Sequence, residues 1–453
     1  MTSLERLENM GNLRAIAYFS LPSIISLVLE SLTGIIDTIF AGNIKGMSES
    51  ALSAMGALNP VMTMLVAIQL LFGLSTGILV SRSFGEKNKK KAKYVFKIGY
   101  FLTLVVSVSV SFFIFIFKDP LILFLGATGD SFILAKKYLS IAVISNVFSS
   151  LGYMFVNVIR AIGYPKMEVT ICTFCTIISV VLNFIFTLIL NLGITGIALA
   201  TLISEVIYFL WALYYISKKN FYYNMRDLNI KENRNLSNSL LTIGFVQFLL
   251  QAMLSLTGGI ANYYLVYYGS SVDLAVKAVL FSILSLIIMP LSGLSNGVQN
   301  ILSFFIGRGN NKKVKEIIRL SLILSFIYGF LSYTFIILYP KAIISIFTIS
   351  TEIIHLSSKI IPLFLIFFPV SGIFYILITF MQVSSREFSA MKLTILKQIV
   401  FIPLVVVLPI IFSNVSNFIT PAQSVFLSTP LSEIIIILTC VIYFNKIHKK
   451  KIC

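Results

Sequence analysis

The chain has 453 residues, of which 58% are hydrophobic and only 11% charged, and it carries a formal net charge of +18. Soluble domains carry about a quarter charged residues, so this much apolar surface exceeds what one water-soluble core could hide. The basic excess does not form a nucleic-acid patch, because the 35 Lys and Arg divide 28 to 7 between alternating loops.

Apolar runs of roughly 20 residues, enough to cross about 30 Å of hydrocarbon, recur along the whole chain. Spans are expected near 14–42, 52–81, 94–117, 132–159, 167–190, 194–217, 237–268, 278–306, 317–340, 353–382, 390–413 and 422–445. The first run is too long for a signal-peptide core and has no small-residue cleavage site. The basic side holds Arg82 to Lys97, Lys218 to Arg234, Arg308 to Arg319 and Lys446 to Lys451; the other holds Lys45, Lys118, Lys136, Lys137, Lys277, Lys341 and Lys359. This asymmetry predicts a multi-pass protein of the cell membrane with both termini in the cytoplasm and an even number of spans.

The first span carries Glu30 and Asp37, seven residues apart and so on one helix face, with Ser23, Ser26, Thr33 and Gly34 on the same stripe. A carboxylate in hydrocarbon costs roughly 2.5–3.5 kcal/mol on insertion scales, so such a stripe must face a cavity or another helix. Glu205 and Glu433 are the other acids read inside spans. Span four carries Asn146, Ser150, Tyr153, Asn157 and Arg160, the last expected to snorkel at the cytoplasmic end. Span five carries Thr173, Thr176, Ser179, Asn183 and Thr187, and its Cys172-x-x-Cys175 reads as helix packing rather than as a redox or zinc pair. Span seven presents Gln247, Gln251, Ser255, Gly258 and Asn262; span eight presents Ser295, Asn296, Gln299, Asn300 and Ser303. Each polar residue alone reads as interhelical hydrogen bonding, worth about 0.6 kcal/mol. Taken together the stripes predict a hydrated cavity.

An internal repeat is legible. Leu71-Phe-Gly-Leu-Ser-Thr-Gly77 matches Leu291-Ser-Gly-Leu-Ser-Asn-Gly297, and each is followed by a basic loop, from Gly85 and from Gly307. Pro120 pairs with Pro340, and Thr201-Leu-Ile-Ser-Glu205 with Thr429-Pro-Leu-Ser-Glu433. Six spans per repeat is an even number, so the halves enter the membrane from the same side, related by a pseudo-twofold axis along its normal. The predicted fold is therefore an all-α polytopic membrane protein of twelve transmembrane helices in two six-helix lobes. Residues 1–217 form the first lobe, 218–236 a cytoplasmic linker and 237–453 the second lobe.

No G-x-x-x-x-G-K-[ST] loop is present, and the two histidines, His355 and His448, lie outside span interiors. Neither a nucleotide motor nor an enzyme is indicated, and no cofactor is expected.

The order of motifs over the whole chain resembles the multidrug and toxic compound extrusion family, in its bacterial multidrug-resistance branch. The residues that carry the likeness are Pro22, Gly34-Ile-Ile-Asp37-Thr-Ile-Phe-Ala-Gly42, Ala51 to Gly56, Asn59-Pro60 and Gly73-x-x-x-Gly77. Arg160-Ala-Ile-Gly-Tyr-Pro165, Gly193 to Thr201, Gln247, Asn262-Tyr-Tyr-Leu and Gly293 to Gln299 follow. The resemblance implies export of amphipathic, often cationic, small molecules from a monomer, by antiport against H+ or Na+ and alternating access between two lobes. It implies a coupling site at Asp37, with Asn183 and Ser179 at positions the family uses; Glu30 and Thr33, on the same stripe of span one, are expected to assist, and Asp37 and Asn183 could hold Na+. Asn157, Tyr153, Gln247, Gln251, Asn262, Asn296, Gln299 and Asn300 are expected to line the substrate cavity. The second half departs from the family pattern, with no acid in span seven or ten and Asn300 in place of a usual Pro, which assigns coupling to the first lobe. A rival flippase of lipid-linked oligosaccharides would need interior Arg or Lys for a pyrophosphate, and the spans read as nearly free of them. A non-transporting receptor or channel is disfavoured by the two-lobed repeat.

Overall fold

The computed structural model describes residues 5–44, 47–127, 129–219, 234–269, 271–347, 350–415 and 420–449. The long helices are α1 (Asn12–Gly42), α2 (Ser48–Gly85), α3 (Lys89–Ile116), α4 (Gly129–Ala161), α5 (Pro165–Asn183) and α6 (Ile194–Lys218). After the linker come α7 (Arg234–Tyr268), α8 (Ser271–Gly307), α9 (Asn311–Leu338), α10 (Thr351–Phe364), α11 (Phe368–Val383), α12 (Glu387–Val415) and α13 (Pro421–Lys449). Eleven of these are long and apolar enough to cross a membrane singly. The pair α10 and α11, bent by 55°, makes the twelfth span. The expected single helix over 353–382 is thus broken. Pro362 sits inside the end of α10 and Pro369 at the start of α11, and a proline removes a helical donor and clashes with the preceding turn. The expected linker at 218–236 lies mostly outside the described residues.

Local sequence explains the sharper boundaries. Gly163, at φ +97°, terminates α4, with Tyr164 N–H donating back to the Ile159 carbonyl at 3.1 Å, and Pro165 opens α5 at its first turn. Asn88 caps α3 by accepting the Lys91 N–H at 2.9 Å. Pro120 and Pro340 both lie in short helices, Lys118–Phe124 and Pro340–Ile344, that follow equivalent spans. The second half of span five is not α-helical: a π-helix over Phe184–Ile189 continues directly from Asn183.

The chain divides into two compact units, Met1–Gln251 with Asn300–Asn310, and Ala252–Gln299 with Asn311–Cys453. In the first, apolar side chains such as Leu58, Leu65, Leu134, Leu139 and Val143 form a core among α2, α4 and their neighbours. Its small residues allow close approach. A Cβ on Gly73 would strike the Tyr153 ring, and one on Gly152 the Tyr208 ring, so these glycines seat two tyrosines that recur below. Where α2 meets the end of α8, Ser81 Oγ donates to the Asn300 carbonyl at 2.8 Å and Ser303 Oγ to the Ile78 carbonyl at 2.6 Å. A Cβ on Gly85 would meet the Phe304 carbonyl, and one on Gly307 the Arg82 carbonyl. Every partner lies 222 residues from its counterpart, the spacing of the repeat read in the sequence.

Arg160 does not snorkel. Its guanidinium is buried, donating to Glu168 Oε1 at 3.0 Å, to Ser23 Oγ at 2.7 Å and to Asn157 Oδ1. The α4–α5 turn brings Glu168 back beside it, and the side chains are 3% and 7% exposed. Nor are the helices free of cations: Lys97 in α3 is 1% exposed and Lys277 in α8 is 8% exposed. The sequence had placed Lys277 in an outer loop. Its Nζ instead donates to the Gly258 carbonyl at 2.7 Å and to Asn262 Oδ1 at 2.5 Å, both on α7. In the second unit, a cluster around Phe364, Phe368 and Phe426 packs α10, α11 and α13 together, and Lys397 on α12 lies 3.8 Å from Glu433 on α13.

Two stability predictions follow from this packing. A Cβ on Gly244 would collide with the Leu71 carbonyl, whereas Gly34 has nothing within 4 Å. Gly244→Ala should cost about 1–3 kcal/mol, lowering the thermal midpoint of detergent-solubilised protein, while Gly34→Ala leaves the midpoint unchanged. Glu168→Gln leaves a guanidinium buried without its counter-charge and should cost about 3–5 kcal/mol. The apolar double replacement Arg160→Met with Glu168→Leu should recover most of that loss in the same assay.

Candidate functional site

The polar stripe of α1 faces inward within the first unit. Pro22 and the small residues after it let α1 lie against α5, and the period of α1 then aims Asp37 at the end of α5. Asp37 is 6% exposed. Asn183 Nδ2 donates to its Oδ1 at 2.8 Å and Thr201 Oγ1, from α6, to its Oδ2 at 3.3 Å. Both partners are neutral. No Lys, Arg or His among the described residues pairs with this carboxylate.

The surroundings of Asp37 hold unmet hydrogen-bonding capacity. Asn183 Oδ1 and Thr187 Oγ1 are buried without a partner. Both lie where the α-helix gives way to the π-helix at Phe184, a change of winding that re-aims side chains and is found frequently at functional sites. A buried carboxylate with two neutral donors and an orphaned amide oxygen beside it suits a proton or a hard cation, which oxygen ligands prefer. No cluster of three His, Cys, Asp or Glu that could hold a metal occurs among the described residues, so a transition-metal centre is not what these groups build.

One helical turn or two from Asp37, helices α1, α2, α4, α5 and α6 line a half-open cavity of about 170 Å³. Glu30 and Thr33 enter it from α1, Tyr153 from α4, Ser179 from α5, and Glu205 and Tyr208 from α6; Gln69, Cys172 and Cys175 complete part of the wall. Of the residues expected at a coupling site, Glu30, Thr33 and Ser179 are therefore together in the cavity, and Asp37 and Asn183 are together beside it. Ser179 is 1% exposed and its Oγ has no partner.

The residues expected to line a substrate cavity are more scattered. Tyr153 lines the cavity, whereas the Asn157 side chain donates to the Tyr153 carbonyl at 2.8 Å and accepts from Arg160. Gln247 and Gln251 lie on the part of α7 that belongs to the first unit, as does Asn300 at the end of α8. Asn262, Asn296 and Gln299 belong to the second unit, where the Asn262 oxygen is taken by Lys277 and Gln299 is 2% exposed with Nε2 unpartnered.

Sequence reasoning missed Thr201, Glu168 and the prominence of Glu205. Thr201 had been read only as part of the repeat, although its spacing of four from Glu205 puts both on one face of α6. Glu168 lies three residues after Pro165, and an acid in the first turn of a helix reads as an ordinary helix start. Only the fold reveals that this turn is buried.

A model of the MatE family matches residues 22–185 and 245–407, once in each half. The multidrug export protein MepA of Staphylococcus haemolyticus is 25% identical over 406 residues, covering 89% of each chain. The protein of that name from Staphylococcus aureus is 24% identical over 401 residues, covering 88% of each. Among solved structures, an outward-facing multidrug resistance MATE family transporter of the MOP superfamily superposes with a TM-score of 0.89, at 20% identity and over 97% of both chains. With twelve spans in a repeated fold and a family match in both halves, the chain belongs to the MatE family.

Proposed function

We propose that this protein exports amphipathic, often cationic, small molecules from the cell by antiport against a proton or sodium gradient, with Asp37 as the coupling carboxylate. The observation that carries this reading is a buried carboxylate served only by neutral donors. Removing an ion from water costs several kcal/mol, and at Arg160 and Glu168 that cost is met by a paired opposite charge. At Asp37 the counter-charge has to come and go, either as a proton on an oxygen or as Na+ held by Asp37, Asn183 and Thr201. Reversal of the Asn183 amide would turn its unpartnered oxygen toward such an ion. The multidrug export proteins among the relatives support the direction of transport and the class of substrate.

Three cations of the helices support this reading over transport of an anionic lipid head group. Arg160 is committed to Glu168, Lys397 to Glu433 and Lys277 to two oxygens of α7. The energetics are adequate without ATP. One charge moving across 100 mV supplies about 2.3 kcal/mol, enough for roughly a 40-fold gradient of a fully coupled neutral substrate. Placement in the cell membrane with both termini in the cytoplasm follows from the loop charges and belongs to the same proposal.

In proteoliposomes with H+ and Na+ gradients imposed separately, the wild type should accumulate a cationic dye under one of them. Asp37→Asn should reduce uptake to the gradient-independent level, and undiminished uptake would remove Asp37 from coupling. Asn183→Ala keeps the carboxylate and removes one donor. It should raise the half-saturating concentration of the coupling ion by about tenfold, the equivalent of one charge-assisted hydrogen bond.

A further inference from the structure

The backbone fixes which residues of the two units correspond. Gly163, at φ +97°, closes the turn between α4 and α5, and Ser385, at φ +58°, closes the turn between α11 and α12. They lie 222 residues apart, as do Pro165 and Glu387, the first residues of α5 and α12. In that register Cys175, in the wall of the first-unit cavity, corresponds to Lys397. Gly152, which seats the Tyr208 ring, corresponds to Phe374. The repeated Thr-x-x-Ser-Glu pattern matches Glu205 with Glu433. Two small residues of the first unit are thus replaced by two large ones around the equivalent acid.

Those two side chains meet. Lys397 Nζ lies 4.7 Å from the centre of the Phe374 ring and 3.8 Å from Glu433 Oε1. Phe374 is 2% exposed, and the Lys397 and Glu433 side chains are 20% and 12% exposed. The ammonium therefore rests between a carboxylate and an aromatic face, the two surfaces that stabilise a desolvated cation. A hydrogen-bonded staple between α12 and α13 would close to about 2.7–2.9 Å. At 3.8 Å the attraction is one of charge, which asks only that a cation stand there. The chain supplies that cation itself, from the wall position that holds a thiol in the first unit.

We propose that Lys397 is a tethered counter-cation that permanently occupies a cation site at Glu433 and so withdraws this acid from ion exchange. Removing the lysine side chain uncovers the site for a small primary amine. The consequence for export rests on the antiport reading. Coupling ions are then taken up in the first unit alone, because the equivalent acid of the second already has its charge.

The test is calorimetric binding of n-propylammonium to the full-length protein in nanodiscs, with no ion gradient. This amine is the part of the side chain that Lys397→Ala removes. Lys397→Ala should bind one equivalent more than the wild type, and adding Glu433→Gln should return the stoichiometry to that of the wild type. 1-Propanol, similar in size but uncharged, should fill no added site. In detergent, Lys397→Ala should lose several degrees of thermal midpoint, because a mostly buried carboxylate has lost its partner. The amine should recover about half of that loss or more by binding the folded state. No added site in folded Lys397→Ala, an added site that survives Glu433→Gln, or equal recovery by amine and alcohol would overturn the proposal. Should Lys397→Ala fold with neither ligand, the double variant decides: a folded double variant supports the counter-charge, and an unfolded one overturns it. A wild type that accumulates no dye under either gradient would sink the antiport reading and leave the binding result standing.

Discussion

Compensation of charge in an apolar interior is the constraint around which this molecule is arranged. A helix bundle that buries ionic groups must give each one an opposite charge, a set of dipoles or a mobile partner. Arg160 and Glu168 illustrate the first solution, with Ser23 and Asn157 accepting further hydrogen bonds from the guanidinium. Lys277, resting on a backbone carbonyl and an amide oxygen of α7, illustrates the second. Asp37 has only the dipoles of Asn183 and Thr201, and Glu30 and Glu205 meet no basic side chain among the described residues. They are concentrated in one unit, along one wall formed by α1 and α6.

The repeat sharpens this contrast. Backbone features recur faithfully, as in the reciprocal bonds of Ser81 and Ser303 and the matched close approaches of Gly85 and Gly307. The charges do not recur. Glu30 and Asp37 stand 221 residues before Gln251 and Gly258, an offset close to the 222 of the neighbouring span. Where the first unit has a carboxylate, the second has the Gly258 carbonyl with the ammonium of Lys277 already upon it. Glu205 is without a basic partner, whereas its repeat counterpart Glu433 is 3.8 Å from Lys397. At these positions the second unit has Lys277 and Lys397 built in, whereas Asp37, Glu30 and Glu205 of the first have no built-in cation among the described residues. Duplication conserved the scaffold because helix packing tolerates few changes at small-residue contacts, and the ionic side chains were free to diverge around it.

Neutral polar residues divide along the same line. Asn183, Thr201 and Ser179 gather at the acids, and two of the three retain an unpartnered atom. Ser295 and Thr379, in the second unit, satisfy one another at 2.5 Å. The same residue types therefore act as interhelical glue at Ser295 and Thr379 and as unfilled ligand positions beside the acids. Hydrogen-bond satisfaction, rather than residue identity, separates the two roles.

Twelve spans, the repeat and the inward acid stripe of α1 could all be read from the chain before any coordinates. Apolar run length and helical period are local quantities, and the pairing of Asp37 with Asn183 lay within reach once a relative's pattern was seen. The partners of charged groups were not legible in this way. Arg160 read as a snorkelling terminus and Lys277 as a loop residue, because whether an end of a helix is wet or buried depends on which other helices cover it. The break between α10 and α11, the π-turn after Asn183 and the meeting of Glu30 with Glu205 were likewise decided in three dimensions. Length, period and composition are written along one helix, but the environment of a polar side chain is made by several, and only their packing specifies it.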